Sequence, residues 1–249
     1  MELVLLGSAG WIPTGTRETC CALARQGSDA LVIDAGTGLR RLLTDHTLLE
    51  GVQHVTIVLS HFHLDHTAGL TYVPALPRDI RVEVVGPGAV AYGRPSLEIL
   101  GDLLRSPLFP VPVERAFAAV RDLDTSPLAV AGLELTWRVQ ERHTDPTIGY
   151  RFGDDLTYCT DTAFDPATIE FARGSRVLLH EAVYAGEHSP RPDHASSGEA
   201  ATIARDAGVE RLVLMHRSLA PATDAELLEA ALAVFPATEV ATDGFVVRT

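Results

Sequence analysis

Residues 55–60, VTIVLS, form an unbroken apolar run, and residues 61–66, HFHLDH, end it with three histidines and an aspartate. An apolar run without alternation marks a strand covered on both faces, and so places it inside a layered structure. A chain that delivers His61, His63, Asp65 and His66 directly off such a strand sets four ligand-type side chains at the edge of a core. Imidazole and carboxylate suit zinc, manganese or iron. His61 and His63, two apart in extended chain, can face one side. Asp65 and His66 follow where the chain turns into a helix and project from the neighbouring corner. Four ligands exceed what one tetrahedral ion uses while keeping a position open for water, so two divalent ions are expected.

The rest of the chain supports a layered fold. Strands are expected at LVLLG (3–7), CCALAR (20–25), ALVIDAG (30–36) and RVEVVG (81–86), with a helical stretch GLRRLLTDH (38–46) and a helix from Ser96 to Leu104. The second half repeats this texture: LELTWRV (133–139), IGYRF (148–152), LTYCTD (156–161), RVLLHEA (176–182), RLVLMH (211–216) and GFVVRT (244–249) read as strands. Asp165-Pro166 opens a helix to about Arg173. Ser196 with Glu199, and Thr223 with Glu226, are capping boxes, and Gly208 stops the first of those helices. Two halves of this kind predict two mixed sheets packed face to face with helices outside, an α+β fold. Residues 1–249 are expected to form a single domain, since no linker or low-complexity segment divides them.

Charge and composition exclude some functions. The formal net charge is −13 and all 20 basic residues are arginine. An acidic surface repels polyanions at long range, so extended, nonspecific nucleic-acid binding is disfavoured. No segment approaches the roughly 18 to 20 apolar residues of a membrane-spanning helix, and MELVLLGSAG reads as a first strand rather than a leader. Three cysteines, two of them adjacent, make no disulfide framework, and a cytoplasmic location is expected. Cys159 reads as core packing, His180 as structural, and His46, His54 and His188 show no implicating spacing.

Two ions need further ligands. His143, Asp161 and His216 each stand just beyond an apolar run, where a strand would bring them to a common rim. With these in place the sequence resembles the metallo-β-lactamase superfamily from end to end, and within it the ribonuclease Z branch of transfer-RNA 3′-end endonucleases and related phosphodiesterases. The likeness rests on GSAGWIPTGTRE (7–18), IDAGTG (33–38), SHFHLDHTAGL (60–70), His143 before IGYRF, TDT (160–162), HEAVY (180–184), HASSGEAATIARDAG (194–208) and LVLMHRS (212–218). It implies a four-layer αββα sandwich. It also implies that His61, His63 and His143 hold one divalent ion, that Asp65, His66 and His216 hold the other, and that Asp161 bridges them. By the same resemblance His194 is the general acid, oriented by Glu181, and Asp65 orients the nucleophile. Protonating a departing alkoxide is a task suited to a histidine poised near neutral pH. Arg17 is a candidate to meet a substrate phosphate.

The chain departs from the tRNA-processing members in three ways. Only 17 residues separate His143 from Asp161, an interval in which those enzymes carry an arm that grips the tRNA. Gly15 and Glu18 stand where they usually have lysine and asparagine, and the net charge is strongly negative. The expected activity is therefore metal-dependent hydrolysis of a small, cyclic or short phosphodiester or an RNA end, with zinc the first candidate ion. A thioester, lactone or other carboxylic-ester hydrolase on the same ligands is the alternative, and a metal-binding scaffold without catalysis is the alternative of another class. Residues 92–113 place Leu97, Leu100 and Leu104 at helical spacing before a Pro-rich tail, which fits a helix packed on the core and also a flap over the site or a homodimer contact.

Overall fold

The computed structural model describes residues 1–124, 126–219 and 222–249. Its strands are β1 (Glu2–Gly7), β2 (Cys21–Gln26), β3 (Asp29–Ile33), β4 (His54–Val58), β5 (Arg81–Gly86), β6 (Ala119–Asp122), β7 (Leu128–Val130), β8 (Leu133–Gln140), β9 (Thr147–Phe152), β10 (Leu156–Cys159), β11 (Val177–Glu181), β12 (Arg211–Met215), β13 (Thr238–Val240) and β14 (Val246–Arg248). Among the described residues they form two seven-stranded sheets, in the orders β14-β1-β2-β3-β4-β5-β6 and β13-β12-β11-β10-β9-β8-β7. Each sheet is antiparallel at one end and parallel at the other. β3 to β6 run parallel in the first sheet, and β10 to β13 in the second.

Burial explains the unbroken apolar runs. Along β3, Leu31 and Ile33 enter the core between the sheets, while Ala30 and Val32 enter the core beneath the outer layer. Along β12, Val213 and Met215 face inward and Leu212 and Leu214 outward. Both faces of these strands are covered, so neither face can be polar. Helix Ser96–Leu103 contributes Leu100 to the first outer core, together with Leu104 just beyond it. Helices Ala167–Ala172, Ser197–Ala207 and Asp224–Leu232 cover the second sheet. The four-layer αββα sandwich expected above is the fold.

Several local expectations shift. The helical stretch at 38–46 is broken into a 3-10 turn at Thr37–Arg40 and a short helix at Arg41–Thr44, because Asp45 leaves the helical conformation and accepts the N–H of Thr47. Residues 92–113 pack against the first sheet, and none of them lines the cavity described below. The strands β6, β7 and β13 are additions, and each is a short sheet edge.

The parallel strands bring the candidate residues to one level. Cys159 pairs with His180 and Glu181 with Met215, so β10, β11 and β12 end together, just before Asp161, at Glu181 and just before His216. In the other sheet Ile33 pairs with Val58, so Asp34 and the Ser60–His66 segment emerge side by side. The sheets are tied at this end by the Tyr150 hydroxyl donating to the Leu59 carbonyl at 2.7 Å and the Ile148 amide donating to the Ser60 carbonyl at 2.9 Å.

Both capping boxes form: Ser196 and Glu199 satisfy each other's backbone amides, as do Thr223 and Glu226. Ser196→Ala should cost about 1 kcal/mol, read as a lower urea midpoint with an unchanged slope.

Candidate active site

His61, His63 and His143 present one ligand atom each within 4.8 Å of one another, and so do Asp65, His66, Asp161 and His216. Asp161 lies between the two groups. Its Oδ1 is 3.2 Å from His216 Nε2, 3.8 Å from His143 Nε2 and 4.0 Å from His61 Nε2, and its Oδ2 is 3.0 Å from His66 Nε2. His143 Nε2 stands 3.4 Å from His63 Nδ1, and Asp65 Oδ2 stands 3.3 Å from His216 Nε2. The first pair of histidines leaves β4, Asp65 and His66 sit in the helix Leu64–Thr67, and the other three follow β8, β10 and β12.

A residue without an assigned role in the sequence organises this cluster. Asp34, fully buried, accepts the Ser60 amide at 2.7 Å, the Ser60 hydroxyl at 2.9 Å, the Tyr158 hydroxyl at 2.9 Å and His66 Nδ1–H at 2.9 Å. The single proton of Ser60 Oγ goes to Asp34, so Ser60 Oγ accepts from His61 Nδ1, 3.0 Å away. One carboxylate therefore keeps a proton on Nδ1 of both imidazoles and turns both Nε2 atoms toward the cluster. Those two Nε2 atoms are buried without a hydrogen-bond partner. An orphaned buried polar group costs roughly 1–3 kcal/mol, and imidazoles whose far nitrogen is tied down are the usual metal ligands. The donor set fits divalent ions.

The charges of the cluster pair with one another: burial alone would lower the His66 imidazole, but the Asp161 and Asp34 carboxylates outweigh it and lift it well above its usual range. Burial alone would raise the Asp161 carboxyl, but the imidazoles of His216, His66 and His61 outweigh it and hold it well below the usual carboxylate range. Asp65 is likewise lowered against burial by His66 and His216. Burial, reinforced by His66, keeps His61 well below the usual imidazole range, and so neutral.

Beside the cluster, His194 Nδ1 is 3.0 Å and 3.2 Å from the two oxygens of Glu181. Glu181 is fully buried at the end of β11 and also accepts the Thr162 amide at 2.6 Å. Burial pulls the His194 imidazole down, but the Glu181 carboxylate more than offsets this and lifts it to about 9. Its ring lies 4.9 Å from that of His143 and 5.6 Å from that of His216. With Nδ1 committed to Glu181, Nε2 is the edge left for a substrate.

Three further placements differ from the sequence reading. The Arg17 guanidinium is held by Asp224 at 2.6 Å, by Ser8 Oγ at 2.8 Å and by the Ala241 carbonyl, and it does not line the cavity over the cluster. It is paired with the first residue of the last helix. Cys20, by contrast, joins the site: its buried thiol lies within 4.8 Å of ligand atoms of His66 and His216, although thiolates had no part in the expected ligand set. Asp145, also not anticipated, stands 3.1 Å from His63 Nε2.

Among the described residues, five non-glycines have positive φ, and four belong to this region: Trp11 (65°), Asp34 (59°), Asp161 (47°) and His216 (56°). Each such residue costs about 1–3 kcal/mol. Gly10 is required for a different reason: a Cβ there would stand 2.3 Å from the His216 ring.

A family model described as a β-lactamase superfamily domain matches residues 30–217. A ribonuclease Z of Methanopyrus kandleri is 31% identical over 99% of this chain and 98% of its own length. The chain belongs to the metallo-β-lactamase superfamily, in its ribonuclease Z-like branch. It is an enzyme of that hydrolase family. That alignment runs over 293 positions against the 249 residues here, so the relative carries segments this chain lacks. Among solved structures, a metallo-β-lactamase fold protein of Bacillus subtilis superposes with a TM-score of 0.77 at 20% identity, covering 99% of both chains. A diphosphatase of the PhnP family gives 0.74 at 20% identity, covering 100% of this chain and 97% of that one. Both share the fold.

Asp34→Asn keeps the side-chain shape and tolerates positive φ, but an amide cannot accept every donor that Asp34 serves. Affinity for zinc, measured by competition with a chromogenic chelator, should fall about 10- to 100-fold while the far-ultraviolet circular dichroism is retained.

Proposed function

We propose that this chain is a dinuclear metal phosphodiesterase acting on small, cyclic or short phosphodiesters, RNA ends included. The observation that carries the reading is the pairing of half-buried His194 with the buried Glu181 carboxylate next to the ligand cluster. Thioester hydrolysis on the same ligands has little need of a proton donor, because a thiolate leaves without one, whereas an ester or lactone expels an alkoxide as a phosphodiester does. An alkoxide expelled from phosphorus does need one. The ribonuclease Z relatives and the PhnP-family diphosphatase, by their names, fit this choice.

His61, His63 and His143 would hold one ion, Asp65, His66 and His216 the other, with Asp161 shared between them. Zinc is the first candidate, with manganese and iron compatible with the same donors. Divalent ions supply positive charge that polarises the phosphoryl group and acidifies water. The chain's own residues do the rest. Asp65, fixed by the Trp11 amide at 2.6 Å, orients the attacking water. His194, protonated at neutral pH, gives its Nε2 proton to the departing oxygen, and Glu181 stabilises the cation and aims the ring.

Substrate size follows from the surroundings. The cavity is about 740 Å³, the scale of a small molecule. The interval from His143 to Asp161 is taken up by a short loop, β9, a tight turn and β10, which leaves no arm there to hold a folded RNA. Substrates are therefore small diesters or single-stranded ends.

Leaving-group dependence tests the assignment. His194→Ala should keep its metal content, measured by atomic emission, and lose about 10²–10⁴-fold in turnover on a diester with an alkoxide leaving group. On bis(p-nitrophenyl) phosphate, whose leaving group is acidic, the loss should be much smaller. An equal loss on both, or metal loss in the variant, rejects His194 as the acid. Turnover of thioesters or lactones alone rejects the phosphodiesterase reading.

A further inference from the structure

The cavity has walls of two kinds. Its floor is the charged cluster, but its rim carries Trp11, Leu64 and Ile12, which are 77%, 64% and 43% exposed. These are three of the eight large apolar side chains exposed among the described residues, gathered around one opening. Singly exposed apolar residues need no explanation, whereas a group at the mouth of a pocket marks a binding surface. Val183 and Tyr184 line the same cavity.

Trp11 is the unusual member. Its backbone has a positive φ that a bulky residue rarely adopts. That conformation is held from below: the Trp11 amide donates to Asp65 Oδ2 at 2.6 Å, the Ile12 amide to the Gly10 carbonyl at 2.9 Å, and the Gly10 amide to the Arg217 carbonyl at 3.0 Å. Gly10 lies so close to His216 that a Cβ there would clash with the ring, so this loop packs directly on the ligand cluster. The chain thus fixes the backbone of its most exposed aromatic residue to a metal-ligand carboxylate and leaves the indole in solvent. Burial within the fold gives no reason for that arrangement, but a ligand ring placed over the cluster does.

We infer that Trp11 is a stacking platform for the base of a nucleotide substrate, flanked by Leu64 and Ile12, and is the specificity-determining residue of the pocket. The inference rests on the phosphodiesterase reading, because it takes the phosphate to sit at the cluster. A base is the aromatic ring naturally attached to a phosphodiester, and base–aromatic stacking needs only a flat face, so the site would accept several bases. A phosphodiester carrying an alkyl chain would gain from Leu64 and Ile12 but not from the planar indole.

The test compares adenosine 5′-monophosphate with ribose 5-phosphate, which share sugar and phosphate and differ by the base. Dissociation constants are measured by calorimetry on the zinc-loaded protein. The nucleotide should bind wild type roughly 5- to 100-fold more tightly, the range that stacking of one base provides. Trp11→Ala and Trp11→Leu should bring the two constants within about 3-fold of each other, and Trp11→Phe should keep most of the preference. The Leu variant retains apolar bulk, so it separates loss of a flat ring from loss of contact area. In a Trp137→Phe background, Trp11 is the remaining tryptophan, and its fluorescence should be quenched by the nucleotide and not by the sugar phosphate. Equal binding of the two ligands by wild type, a preference that survives in the Leu variant, or hexyl phosphate matching the nucleotide overturns the inference. Failure to turn over any phosphodiester instead removes the phosphodiesterase reading, and the calorimetry and quenching still decide whether Trp11 stacks a base.

Discussion

The arrangement of the site depends on the Asp34 carboxylate. It lies at the end of a parallel strand in one sheet and accepts hydrogen bonds from its own sheet, from the other sheet through Tyr158, and from a candidate ligand, His66. A buried carboxylate needs hydrogen-bond donors around it, and here four converge, one on Oδ1 and three on Oδ2. The result is both mechanical and chemical. Mechanically, Tyr158 and Asp34 join the two sheets beneath the cluster. Chemically, the proton order that runs from His61 through Ser60 to Asp34 sets which imidazole nitrogens are free to bind a cation.

Strain is concentrated where this order matters. Asp34, Asp161 and His216 all leave their strands with positive φ, as does Trp11 in the facing loop, while the strands themselves are regular and buried on both sides. Residues beyond strand ends can be turned sharply without disturbing the ladder that holds them. The sandwich supplies the rigidity, and the sharp turns aim the side chains. Because β10, β11 and β12 end at one level, Asp161, Glu181 and His216 come from three strands to the same rim, and the Glu181–His194 pair stands beside the His/Asp cluster.

The sequence was legible wherever chemistry and periodicity coincide. The inner strands announce themselves by unbroken apolar runs, and the histidine cluster by its density after one of them. The strands β6, β7 and β13 were not legible, for a common reason: each is a three- or four-residue sheet edge, half solvated, with too little apolar pattern to stand out from a loop. The helical stretch after Gly36 was overestimated because its apolar spacing is right, yet Asp45 interrupts it by binding the following amide.

By itself the sequence determined which residue types end which strands: His61, His63, Asp65 and His66 as a local group, and His143, Asp161 and His216 as isolated polar residues beyond apolar runs, while His194 was reached only through the family resemblance. Local order in the chain sets those properties, and they can be read without a fold. Tertiary structure alone decided how Asp34, Cys20 and Arg17 are used. The aspartate in IDAGTG, the cysteine beside another cysteine and the arginine of the early loop carry no sign of their distant partners in one dimension. Asp34 becomes the hub because Tyr158, 124 residues away, reaches it, and Arg17 is paired with Asp224, 207 residues away. Charges and hydrogen bonds act through space over a few ångströms, and a linear sequence does not state which distant residues will lie within that range.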